Sequence, residues 1–203
     1  MKRLVFIAVF MIIFTGTLFA EGKKTFMLGY ESEIIGYRNF SYSDDGGSGE
    51  YSQFSFLLGQ PEMGLNLGFI LGESSIVGLK FGFGMTHTSA LSNSKEYLVN
   101  LRFSPFYEYM FTTSAVRPFA KAAVLFRLNN IGDYEDRTNT AWSVGCGIAG
   151  GVHFFIGDSF SIDLGALFEY SGGKTHYNFD DVENKMNTRE MTLSLFFALT
   201  GWI

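Results

Sequence analysis

Ser75-Ile76-Val77-Gly78-Leu79-Lys80-Phe81-Gly82-Phe83-Gly84-Met85-Thr86 sorts into two faces with a period of two. Val77, Leu79, Phe81, Phe83 and Met85 share one face, while Gly78, Lys80, Gly82, Gly84 and Thr86 share the other. Successive side chains point to opposite sides only in an extended chain, so this is a strand. Large residues at every greasy position need apolar surroundings. Glycines around a lone charge on the other face need a narrow polar space.

The same unit recurs on either side. In Thr25 to Arg38, Phe26, Leu28, Tyr30 and Ile34 oppose Gly29, Glu31 and Glu33. Tyr51 to Leu71 reads as a second, longer strand ending in Met63, Leu65, Leu67, Phe69 and Leu71 against Glu62, Gly64, Asn66 and Gly68. Pro61 has no N–H for a ladder and belongs at a rim or a bulge. Glu96 to Phe111 sets Tyr97, Leu101, Phe103, Tyr107 and Tyr109 against Arg102, Ser104 and Glu108. Val116 to Leu128 sets Ala120, Ala122, Val124 and Phe126 against Arg117, Lys121 and Arg127. Further on, Trp142, Val144, Cys146 and Ile148 oppose Ser143, Gly145, Gly147 and His153. Phe160, Ile162, Leu164 and Phe168 oppose Ser161, Asp163 and Glu169, and Leu193, Leu195, Phe197 and Leu199 oppose Thr192, Ser194 and Thr200.

That makes eight strands, and their connections alternate long and short. Asn39 to Glu50, His87 to Lys95, Asn129 to Asn139 and Ser171 to Asn187 read as polar loops. Gly72-Glu73-Ser74, Thr112-Thr113-Ser114 and Gly157-Asp158-Ser159 read as tight turns. Short turns at one rim and long loops at the other predict an all-β, eight-stranded antiparallel up-and-down transmembrane β-barrel. Apolar bands of about 9 to 11 residues cross a bilayer when tilted. Closure also removes the free edges that lipid cannot satisfy. Aromatic girdles are expected at both interfaces, from Tyr107, Tyr109, Phe111 and Phe160 at the short-turn rim and Tyr37, Tyr97, Trp142 and Tyr170 at the other.

Composition agrees. Of 203 residues, 47% are hydrophobic and only 17% charged, and 24 glycines and 23 phenylalanines against three prolines suit strands and turns. Lys2 and Arg3 followed by the apolar run Leu4 to Phe14 read as a cleaved secretory signal peptide spanning residues 1–22, cut after Ala20 or Gly22, ahead of a barrel domain at 23–203. Cleavage after Ala20 removes Lys2 and Arg3 and takes the net charge from −5 to −7, with 13 basic and 20 acidic residues left. Such a surface does not attract nucleic acid. The single cysteine, Cys146, has no intramolecular disulfide partner and reads as a small hydrophobe.

This pattern, from about Thr25 to Ile203, resembles the small eight-stranded outer-membrane barrels of the OmpA-barrel, OmpX and OmpW types. The resemblance implies export to a bacterial outer membrane, contact with its lipids, and handling by periplasmic chaperones and the insertion machinery, as a monomer without a cofactor. Members of this class usually end in an aromatic residue, whereas this chain ends Gly201-Trp202-Ile203.

By parity, Glu31, Glu33, Glu62, Glu108, Asp163 and Glu169 point into the lumen together with Lys80, Arg102, Arg117, Lys121 and Arg127. An eight-stranded barrel is just wide enough for side chains to fill, and charges inside it must be paired. A sealed, salt-bridged interior is therefore expected, with no catalysis. Adhesion or surface recognition is then expected at the acidic outer loops, which carry Asp44, Asp45, Asp133, Glu135, Asp136, Asp180, Asp181 and Glu183. The alternative is a narrow porin-like path, or the lateral exit for small hydrophobic compounds that the OmpW resemblance implies. Two lesser readings remain. His87 and Ser89 are spaced like the His-x-Ser pair of barrel lipid A deacylases, with Glu96 as the orienting acid on the wrong parity. A secreted lipocalin-like barrel would turn the greasy face inward around a ligand.

Overall fold

The computed structural model describes residues 25–44, 47–56, 63–89, 95–132, 138–179 and 182–203. The expected signal segment, Glu62 and the acidic residues Asp45, Asp133, Glu135, Asp136, Asp180 and Asp181 lie outside them. Nine strand segments follow in order: β1 (Phe26–Asp44), β2 (Gly47–Phe56), β3 (Met63–Leu71), β4 (Ser75–Ser89), β5 (Lys95–Met110), β6 (Val116–Gly132), β7 (Thr138–Phe155), β8 (Phe160–Phe179) and β9 (Val182–Trp202). Every neighbour is antiparallel, and pairing of β1 with β9 closes the sheet into a ring.

One expectation needs correcting here. Among the described residues the stretch Tyr51 to Leu71 gives two segments, both on the same edge of β1: β3 pairs with Phe26 to Glu31, and β2 with Ile35 to Asp44. The nine segments thus fill eight positions around the ring. A second correction concerns the long connections. Ser171 to Asn187 is mostly a hairpin, paired from Ser171↔Glu190 out to Phe179↔Val182. Likewise Asn39 to Glu50 is ladder out to Asp44↔Gly47. Beyond the apolar band both faces of a strand meet polar surroundings, so alternation disappears from the sequence while backbone pairing continues.

β1 carries a bulge between Glu33 and Ile35. An extra residue shifts the phase of everything after it. Glu31 pairs with Ala198, but past the bulge Gly36 pairs with Ser194, so Tyr37 comes to lie beside outward Leu193 and Arg38 beside inward Thr192. At the short-turn rim, Gly72 (φ 71°) and Gly157 (φ 67°) take the left-handed conformation open to glycine.

The two faces are sorted by polarity. Phe83, Ile148, Leu164 and Leu195 stand exposed on the outside, and Glu108, Asp163, Glu169, Arg102 and His153 are buried within. A soluble lipocalin-like barrel would have the reverse arrangement, and that alternative is set aside. An unbroken apolar exterior of this extent is what lipid contact requires.

Candidate functional site

The lumen is built in layers, counted upward from the short turns. The floor is apolar. Met27, Ile76, Met110 and Trp202 are buried there, with the Phe155 ring 5.1 Å from that of Trp202. Arg117 caps the floor from the rim, its guanidinium 4.0 Å above the Phe155 ring and its Nε donating to the Ser114 carbonyl at 2.8 Å.

Directly above lies a network that reaches the strands at all eight positions of the ring. Glu31 on β1 is ion-paired with Lys80 on β4 and accepts from Asn66 Nδ2 on β3 at 3.1 Å. Lys121 on β6 stands 3.8 Å from Glu31 and 3.0 Å from Glu108 on β5. His153 on β7 places Nε2 2.9 Å from Glu108 and Nδ1 2.7 Å from Asp163 on β8. Asp163 accepts from Ser161 Oγ (2.7 Å) and from Thr200 Oγ1 of β9 (2.6 Å), and Trp202 Nε1 donates to Ser161 Oγ at 2.9 Å. Three carboxylates face two ammonium groups, and His153 stands between two of those carboxylates, with one ring nitrogen toward each.

Phe106, Leu167 and Phe196, with Ala123 and Ala149, form an apolar layer over this network. Lumen glycines make room for the rings. A Cβ on Gly78 would meet Phe106 Cζ at 2.4 Å, and one on Gly165 would meet Phe196 Cζ at 2.6 Å. A second ionic network sits above. Glu169 binds Arg102 and, at 2.6 Å, Arg127, which reaches Glu190 at 2.7 Å. Thr192 donates to Glu190 at 3.2 Å and Arg102 Nε to Ser104 at 3.1 Å.

The predicted lumen charges are thus divided between two levels: Glu31, Lys80, Glu108, Lys121 and Asp163 below, and Arg102, Arg127 and Glu169 above. Glu33 pairs with Arg38 at 3.6 Å. Arg117 stays at the rim, and Glu62 lies outside the described residues. Phe196 lies where its parity puts it, on the face of Thr192, Ser194 and Thr200, whereas reading by parity missed Glu190 and Arg38 and also the lumen aromatics Phe106, Phe119 and Trp202. Their signal was present: each occupies the charged parity of its strand.

Of the expected girdle, Tyr107, Tyr109 and Phe111 are exposed at the short-turn rim with Phe160 partly so. Trp142 and Tyr170 are exposed toward the other end, Tyr37 is half-buried, and the Tyr97 side chain is outside the description. His87 and Ser89 lie on β4 with backbones paired to Tyr97 and Lys95, and Glu96 pairs with Thr88; their side chains are likewise undescribed. Cys146 is exposed on the outer face.

No family model matches the chain, and no curated protein matches it. Solved structures do. The outer membrane protein OprG from Pseudomonas aeruginosa is similar over 88% of this chain and 97% of its own, at 13% identity and a TM-score of 0.56. The outer membrane protein AlkL, determined in lipid bilayers, is similar over 91% of this chain and 93% of its own, at 10% identity and a TM-score of 0.50. At such identities the likeness shows the fold, that of a small outer-membrane β-barrel. It transfers no activity.

Proposed function

We propose that this protein is an integral outer-membrane barrel, exported by its N-terminal signal, whose lumen is sealed by its own side chains and whose working surface is its outer end. The lower network carries the reading. It ties strands at every position of the ring through Glu31, Lys121, Glu108, His153 and Asp163, directly above an apolar floor, and neither layer favours a column of water. With the lumen closed, contact with the surroundings falls to the outer end, where the sequence connecting the long strands is acidic. Adhesion or surface recognition by a monomeric barrel is the role this arrangement fits, rather than a reaction.

The test is to refold residues 23–203 in detergent, establish folding by heat-modifiable gel migration, and record conductance in a planar bilayer. Folded, inserted protein is expected to be silent. Discrete openings would overturn the sealed-lumen reading.

One observation favours a second reading, a sideways path for small apolar solutes. Among the described residues β2 pairs with β1 alone, so the hydrogen-bonded ladder ends at β2 on the outer half of the ring. Uptake of a small aromatic dye into the bilayer of protein-bearing vesicles, faster than into protein-free ones while conductance stays nil, would select this reading.

A further inference from the structure

We propose that the outward face of β7, β8 and β9, at the outer end, binds the phosphate of an anionic lipid head group. The register places the parts. On β8 and β9, His176 is opposite Lys185, Lys174 is opposite Asn187, and Gly172 is opposite Arg189. On the β7 side Trp142 is opposite Lys174. Lys174, Lys185, Arg189 and Trp142 are exposed, and they share the outward parity of Phe168 and Leu193.

With about 3.3 Å per residue along a strand and about 4.8 Å between strands, Lys174 stands diagonally about 8 Å from Arg189. Two long basic side chains at that spacing can close on one phosphate from either side. Gly172 leaves a notch beside them, since a Cβ there would meet only the Thr188 carbonyl, at 3.7 Å. Among the described side chains, no acid of β7, β8 or β9 shares this face, and Glu183, at the same parity as Lys185 on β9, has its side chain outside the description. Glu169 and Glu190 turn inward to Arg127, and Glu50, across β1 on β2, accepts a hydrogen bond from Asn39 at 2.6 Å.

Basic side chains thus gather on one face of a chain whose net charge is −5. They sit at the end of the apolar band, next to Trp142, where head-group phosphates lie. Below them Phe168, Leu164 and Leu193 continue as a greasy surface for acyl chains. A basic residue near a charged membrane surface is worth about 1 kcal/mol, or roughly fivefold in affinity.

The inference rests on the outer-membrane reading, and the experiment separates the two. Mature protein carrying W202F, so that Trp142 is its single tryptophan and is excited selectively, is folded into phosphatidylcholine vesicles containing brominated phosphatidylglycerol or brominated phosphatidylcholine. Quenching of Trp142 is expected to exceed the bulk fraction of the quencher only for phosphatidylglycerol, and to weaken as salt is raised. K174A/R189A should lower the relative affinity on the order of 30-fold, while K174R/R189K should retain it. Equal quenching by the two brominated lipids would overturn the site while leaving the barrel in the membrane. Full displacement by inorganic phosphate would overturn the lipid assignment in favour of free phosphate. Absence of quenching by either lipid would remove the membrane reading and this proposal together.

Discussion

Trp202 Nε1 donates to Ser161 Oγ at 2.9 Å, and Ser161 Oγ donates in turn to Asp163 at 2.7 Å. The aromatic residue at the end of the chain is therefore turned into the barrel and wired to the lower ionic network. Its ring also stands edge-on to His153, at 5.3 Å between centroids. W202F should keep most of the ring contact while removing one hydrogen bond, costing about 1 to 2 kcal/mol. W202A should leave a cavity in the floor and cost about 3 to 5 kcal/mol. Urea unfolding from lipid vesicles measures both, and equal costs would show that packing of the indole contributes nothing.

The two ionic networks are separated by Phe106, Leu167 and Phe196, and Lys121 and Arg127 lie six residues, roughly 20 Å, apart on one strand. Their effects should be independent. K121M and R127M are expected to add to within about 0.5 kcal/mol, whereas K121M and E108Q, partners at 3.0 Å, should couple by about 0.5 to 3 kcal/mol. A double-mutant cycle decides this. Strong coupling between Lys121 and Arg127 would mean the lumen charges act as one network.

Gly165 exists for the ring it faces. A methyl group there would lie 2.6 Å from Phe196 Cζ and 2.7 Å from the Gly150 carbonyl. G165A should overpack the lumen and cost about 1 to 3 kcal/mol. Since part of the clash is with a side chain, F196L should recover some of that loss in the double variant. No recovery would place the whole conflict on the backbone.

Why some of this was legible in the sequence, and some not, follows from what a period of two encodes. Val77, Leu79 and Phe81 against Gly78 and Lys80 fixed the strand and its faces, and Gly72 and Gly157 marked turns that their backbones bear out. Alternation says nothing about partners across the lumen. Arg102 and Glu169 meet although 67 residues apart, on β5 and β8, which are not neighbours. Nor does it reveal the bulge after Glu33, because Ile34 and Ile35 are equally apolar and either suits the lipid face, yet the extra residue decides that Arg38 faces in and Tyr37 out. The lumen rings were missed for a physical reason. Phe106 is buried by protein, not lipid, and its charged parity and the glycine facing it, Gly78, were the traces of that space in the sequence.

Leu164 and Asp163 are adjacent in sequence and face opposite media: Leu164 is exposed on the outer surface beside Val152 and Phe197, and Asp163 is buried against His153 and Thr200. L164R puts a charge into the apolar band. If lipid surrounds that band, the cost is about 2 to 4 kcal/mol near the bilayer midplane. D163N leaves the lipid face untouched and removes the charge opposing His153, while its amide oxygen still accepts from Ser161 or Thr200. It should therefore destabilise through the lumen alone, by an amount that H153F reduces, because the 2.7 Å contact between His153 and residue 163 is then gone. Unfolding from vesicles of shorter acyl chains separates the two mechanisms. The L164R cost should shrink as the bilayer thins around the site, and the D163N cost should not move. If L164R folds into lipid as readily as the parent, the outer face does not contact hydrocarbon at that level, and the membrane placement of the whole barrel fails with it.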